Sequence, residues 1–110
     1  MLAQDDGSNS EMVSLNDEVI AYEDTIRKYA KEYDIEDYVS LLQAIMMQES
    51  GGKGNDPMQA SESGYNTKYP RVPNGITGPE YSIEVGTHTF SDCLKKAKVK
   101  NSDYIKIVGV

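Results

Sequence analysis

Apolar residues recur three and four positions apart in three separate stretches of this chain, and that spacing commits it to helices. The first stripe is Leu15, Val19, Tyr22, Ile26, Tyr29 and Tyr33, which predicts one helix from about Leu15 to Tyr33. Ser14, with Asp17 three residues on, resembles a capping box with Asp in place of the usual Glu or Gln. The stripe is too short for a coiled coil and predicts packing on a neighbouring helix. The second stripe, Tyr38, Leu41, Leu42 and Ile45, predicts a helix from about Ile35 to Ser50. The third, Ile83, Phe90, Leu94 and Ala97, predicts one from about Pro79 to Lys98, with Thr77 as N-cap and Glu80 completing its box. Gly86, in the apolar face of that helix, predicts a close approach by another helix. The longest strand signal is only Tyr104 to Val108, and residues 102 to 110 equally suit the start of a fourth helix. The fold class is therefore all-α, and 110 residues suit one domain with a single modest core.

Residues 1–13 are polar, acidic and contain Gly and Ser, so they read as a flexible linker ahead of a folded domain at 14–110. Between the second and third helices lies a loop, residues 51 to 77, that holds Pro57, Pro70 and Pro73. A loop of that length in a small domain is commonly functional. Tyr65, Tyr69 and Arg71 within it are suited to stacking on and hydrogen-bonding sugar rings, or equally to anchoring the loop.

Charge and cysteine content narrow the partners. The net charge of −7 argues against nucleic acid, which is bound by clustered Lys and Arg, and against an anionic membrane surface. The cluster Lys95, Lys96, Lys98 and Lys100 falls at the end of a predicted helix and complements its dipole. Cys93 is the one cysteine, so an intrachain disulfide is impossible. No metal site and no cofactor are expected, because zinc draws on several His and Cys ligands. His88 and Cys93 are five residues apart on one predicted helix, which sets them far apart around its axis and disfavours a Cys-His dyad. Cys93 reads as core and His88 as solvated. No apolar run approaches a membrane span, and Met1-Leu2-Ala3-Gln4 lacks the basic start and apolar stretch of a signal peptide.

The chemistry concentrates after the second stripe. Glu49 lies four residues past Ile45 and so extends that stripe, and Gly51-Gly52 follows as a helix terminator. Apolar neighbours and the negative end of the helix dipole both disfavour a charged carboxylate, as a general acid requires. A solvated Glu at a frayed helix end is the plainer reading of the same residues. Asp56-Pro57 then marks a turn. Asp56 is suited to orienting a water, or simply to forming the turn. Gln59 and Ser63 are suited to hydrogen-bonding a polar substrate, and Glu62 adds a carboxylate.

The run from Ala44 to Ser63, AIMMQESGGKGNDPMQASES, resembles the lysozyme-like domain of two-domain Gram-positive cell-wall hydrolases of the CwlT type, distantly related to goose-type lysozyme and soluble lytic transglycosylases. A Glu-Ser-Gly motif ends a helix in that group, and a Gly-x-Met-Gln-like turn lines the cleft. Here they match Glu49-Ser50-Gly51 and Asp56-Pro57-Met58-Gln59. The segment Pro79-Glu80-Tyr81-Ser82-Ile83-Glu84-Val85-Gly86 is also similar to the family, and the resemblance covers roughly residues 15 to 97.

The resemblance implies a lysozyme-like helical domain and cleavage of peptidoglycan glycan strands, by hydrolysis or transglycosylation. Glu49 would be the catalytic acid and Asp56 an assisting residue. Ser50, Gln59, Ser63 and Tyr65 would form the substrate-binding set. It also implies action at the cell wall, outside the cell, and an association with conjugation machinery. The family carries a cleft-closing Tyr-Asn-Phe-Gly-like helix that this sequence lacks, so the domain is expected to be incomplete at its C-terminus and to self-associate through the uncovered face. The competing expectation is a non-catalytic peptidoglycan-binding or scaffold module.

Overall fold

A computed structural model describes residues 14–108, with side chains described through residue 97; the linker expected at 1–13 lies outside the described residues. Among the described residues there are four α-helices: α1 (Asp17–Ala21), α2 (Glu23–Glu32), α3 (Val39–Glu49) and α4 (Pro79–Val108). A single 3₁₀ turn, Glu36–Tyr38, leads into α3. The described residues are helix and loop, so the all-α expectation holds. Among them, no helix is long and apolar enough to cross a membrane.

The expected first helix is two. At Tyr22 (φ −90°, ψ 4°) the backbone N–H reaches the Val19 carbonyl, three residues back. This tighter turn lets α1 pack on α3 while α2 packs on α3 and α4. The start of α1 also differs from expectation. Asn16 is the N-cap, its side-chain oxygen accepting from the Val19 N–H at 2.9 Å, so the cap lies two residues beyond Ser14. The apolar stripe itself is as read: Val19, Ile26 and Tyr29 are buried, and Leu15, Tyr22 and Tyr33 pack at its edge.

α2 ends in a Schellman motif. The Ile35 N–H reaches the Ala30 carbonyl at 2.7 Å and the Asp34 N–H reaches Lys31 at 3.2 Å. Asp34 takes the left-handed position usually given to glycine (φ 62°), and buried Ile35 supplies the accompanying apolar contact. The bonds turn the chain sharply back into α3.

The buried seam of α3 is Val39, Leu42, Gln43 and Met46, rotated from the expected Tyr38, Leu41, Leu42, Ile45 line. Leu41 is 46% exposed. α3 is apolar nearly all round, so spacing alone does not say which side faces the core. The rotation carries Glu49 away from the core, and its side chain is exposed.

α4 begins at Pro79, with the Ser82 N–H bonded to the Gly78 carbonyl, so Gly78 precedes the helix instead of the expected Thr77 cap. Proline at a first helical position has no N–H to leave unsatisfied. Glu80 does not close a capping box; it accepts from Tyr29 Oη (2.6 Å) and Lys28 Nζ (2.9 Å) and ties α4 to α2. These two donors, the tyrosine first, hold the Glu80 carboxyl below its ordinary value. Tyr33, at the α2 C-terminus, is pushed up to about 12, chiefly by burial and then by Glu84. No separate fourth segment begins near 102; α4 runs unbroken to Val108. Gly86 does allow a close approach, but by a loop: a Cβ there would meet Met58 Cβ at 2.8 Å.

Candidate active site

The exit from α3 decides where Glu49 points. The Gly51 N–H reaches back to the Met46 and Met47 carbonyls, and Gly51 and Gly52 take φ of 64° and 76°. Asn16 Nδ2 donates to the Gly51 carbonyl at 2.9 Å. A Cβ on Gly52 would lie 3.0 Å from both Glu18 Cβ and Val19 N. Ser50 Oγ donates to the Pro57 carbonyl (2.6 Å) and accepts the Gly52 N–H (2.9 Å). The turn behind Glu49 is thus clamped between the first turn of α1 and the Pro57 segment.

The long loop is organised by two buried polar side chains. Asp56, 2% exposed, accepts from the Ala60 N–H (3.0 Å) and Ser82 Oγ (2.7 Å) on Oδ1, and from Ser61 Oγ (2.5 Å) on Oδ2. Those hydroxyls pass the link on: Ser82 Oγ accepts the Met58 N–H, and Ser61 Oγ accepts the Ile76 N–H. Asn66, 1% exposed, donates to the Ser61 carbonyl (2.7 Å) and accepts the Tyr69 N–H (3.0 Å). A structureless loop would leave buried backbone groups unpaired; here side chains pair them.

Glu49, Asp56, Gln59, Ser61, Glu62, Pro73 and Asn74 line one cavity of about 270 Å³. Glu49 and Glu62 are exposed in it. Glu49 is therefore a solvent-facing carboxylate at a helix end, not one seated among apolar neighbours. Asp56 lines the same cavity, but both of its oxygens are taken by protein donors. Gln59 bridges it, with Nε2 donating to the Asp56 carbonyl (3.0 Å) and to Asn74 Oδ1 (2.8 Å).

The remaining expected residues lie elsewhere. Ser50 pins the turn below Glu49. Ser63 lines an adjoining apolar cavity of about 310 Å³ with Ile45, Met58 and Phe90, which Gln59 and Glu62 also border. Its Oγ lies 2.7 Å from Thr89 Oγ1. Tyr65 stacks on His88 (3.7 Å between centroids), and His88 stacks on Tyr33 (4.4 Å). That sandwich borders a third cavity, so Tyr65 does not line the Glu49 cavity, and His88, expected on the solvated face, is half-buried between the two rings. Cys93, expected in the core, is exposed and borders the apolar cavity. Arg71 anchors the loop, donating to the Asn66 and Gly64 carbonyls. Asn74 and Ser61 escaped the sequence reading, and Pro73 was read only as a loop proline. The dipeptide Asn74-Gly75 after Pro73 was the available signal, since it marks a turn with a left-handed residue. Among the described residues, no group of three or more His, Cys, Asp or Glu is placed to hold a metal ion.

The comparisons with known proteins agree with this architecture. Residues 16–109 match the family model described as Lysozyme-like. The chain is 41% identical over 87 residues to the bifunctional muramidase/DL-endopeptidase CwlT of Bacillus subtilis, covering 79% of this chain and 25% of that protein. It is 37% identical over 87 residues to the uncharacterized membrane protein YocA of the same organism, covering 79% of this chain and 36% of that protein. A crystal structure from Staphylococcus aureus, of a protein described as similar to lipoprotein of the NLP/P60 family, superposes with a TM-score of 0.73 at 43% identity, over 82% of this chain and 28% of that one. The chain thus spans about a quarter to a third of the length of these relatives. With helices, glycine turn and acid-bearing cavity in this arrangement, the chain belongs to the lysozyme-like family, and its domain is of the CwlT type.

Proposed function

We propose that the chain cleaves the glycan strands of peptidoglycan, with Glu49 as the proton donor to the glycosidic oxygen. The observation that carries this reading is the Glu49 carboxyl at the end of α3, facing a cavity that also presents two further carboxylates and the Gln59–Asn74 amides. Kinship with a protein named as a muramidase supports the same bond as target.

Asp56, with its oxygens occupied, acts as a positioning residue that shapes the loop. Glu62, exposed in the same cavity, is then the carboxylate free to handle water if cleavage is hydrolytic. If the substrate's own hydroxyl attacks instead, Glu49 suffices. The place of action is the cell wall, outside the cell. Wall opening during conjugative transfer is the process the resemblance suggests.

The test is loss of turbidity of Gram-positive cell walls. Glu49→Gln is isosteric but has no acidic proton, and should lower the rate by at least about 100-fold while leaving the fold intact. Lysis within tenfold of the parent removes Glu49 from the role. Released muropeptides with reducing ends, together with a comparable loss in Glu62→Gln, indicate hydrolysis. Anhydro ends with an active Glu62→Gln indicate transglycosylation. A second reading, a glycan-binding module without turnover, is favoured by the exposure of Glu49. Wall binding without lysis by the parent chain selects it.

A further inference from the structure

The third cavity, of about 170 Å³, shares no lining residue with the Glu49 cavity or the apolar one. Its walls come from α4 (Tyr81, Glu84, His88), from the end of α2 (Tyr33) and from the long loop (Tyr65, Lys68). Gly86, which borders the apolar cavity, lies two residues from both Glu84 and His88, so the two cavities flank opposite sides of α4. At about 30 Å³ per water the third cavity holds about six water-sized groups, room for an amino acid or a short peptide.

Hydrogen bonds and stacking fix the walls. Tyr81 Oη accepts the Thr67 N–H (3.0 Å) and donates to the Tyr65 carbonyl (3.4 Å), and the Tyr65 ring stacks on His88. Two full charges of opposite sign border the space between them. Lys68 is exposed, and its Nζ lies 5.0 Å from the centre of the Tyr81 ring. The half-buried Glu84 carboxylate takes one hydrogen bond among the described residues, a long one of 3.5 Å from Tyr33 Oη. The two do not pair with each other: among the described residues the ion pairs are Arg27–Glu23, Lys28–Glu80 and Lys96–Asp92. A carboxylate beside aromatic rings attracts an ammonium, through its charge and through the ring quadrupoles. A lysine on the same cavity attracts a carboxylate.

We propose that this cavity binds a short zwitterionic peptide, with Glu84 taking its free ammonium and Lys68 its free carboxylate. The tyrosine rings supply apolar surface for the peptide's own side chains. A neutral sugar offers neither charge, so the site differs in chemistry from the one at Glu49. It goes beyond the glycan-cleavage reading and does not rest on it.

The test uses the 110-residue chain and dialanine in three forms, titrated at neutral pH by ¹⁵N NMR: both ends free, N-acetylated, and C-amidated. Backbone amide signals of Lys68, Glu84 and His88 should move with the free form. Removing either end charge should weaken binding at least about threefold, the scale of one exposed ion pair. The amidated form is a cation, and the chain carries a net charge of −7. A general attraction to an acidic protein would make that form bind most tightly, whereas this site requires that it bind less well than the free form. Glu84→Gln should abolish the effect of acetylation and keep that of amidation, and Lys68→Gln should do the reverse. Misfolding would weaken all three forms alike and cannot produce that crossover. Signals that stay still with the free form overturn the inference. So does tightest binding by the amidated form, or a preference that survives both variants. Wall lysis can fail while the crossover stands, and the crossover can fail while lysis stands, so each reading falls on its own result.

Discussion

Ser82 Oγ donates to Asp56 Oδ1 at 2.7 Å, which fastens the early part of an irregular loop to the first turn of α4. The Ser82 side chain is fully buried and Asp56 nearly so, which makes the bond both dry and charge-assisted. Through it the Glu49 cavity has one wall from α3, one from the loop, and a brace from α4.

Asp56→Asn tests that brace. Two carboxylate oxygens now accept three bonds, and an amide has only one oxygen. Its NH₂ would oppose either the Ser82 or the Ser61 hydroxyl, leaving a buried donor without a partner. A loss of about 2 kcal/mol is expected, seen as a Tm lower by about 10 °C. Activity should fall with loop order, and Gln59 and Asn74 amide signals should broaden or shift. An unchanged Tm with strongly reduced lysis would instead return Asp56 to a direct chemical role.

Gly86→Ala tests the contact between loop and helix. The new methyl would sit 2.8 Å from Met58 Cβ and 3.0 Å from its Cγ, so the loop must lift away from α4. Alanine's better helix propensity, about 1 kcal/mol, opposes a packing penalty of about 1–3 kcal/mol. Net destabilisation is expected by thermal melting, and the Met58 N–H bond to Ser82 should exchange faster with solvent. A more stable variant would mean that the loop is not held against this face.

The α2–α4 seam should show in the acid limb of the stability curve. Glu80 is held below its ordinary value of 4.5 by Tyr29 and Lys28, so its contribution is complete above that value and is lost as pH falls through the lower, folded value. Glu80→Gln should therefore melt earlier than the parent near neutral pH, with the two curves converging in acid. The pair is exposed, so added salt should narrow the difference. Curves that stay parallel down to the acid limit would show that the carboxylate does not stabilise the seam.

Much of the fold was readable from the chain alone. The stripe Val19, Ile26, Tyr29, the terminator Gly51-Gly52 and the length of the loop are local signals, and each needs only neighbours in sequence to act. The position of Glu49 at the end of α3 was likewise legible from its place before that terminator. What spacing could not decide was orientation. α3 is apolar on most sides, so only packing against α1 and α2 selected Val39, Leu42 and Met46 as its buried face and left Glu49 in solvent. Nor could it decide partnership. Asp56 meets Ser82 from 26 residues away, Gln59 meets Asn74 from 15, and Tyr65 meets His88 across the loop and α4. The sequence by itself determined helices, a break and an acid at the break. The tertiary structure alone decided which face of α3 is dry, and which distant polar groups satisfy one another around that acid, because burial and hydrogen-bond pairing depend on what the folded chain brings alongside.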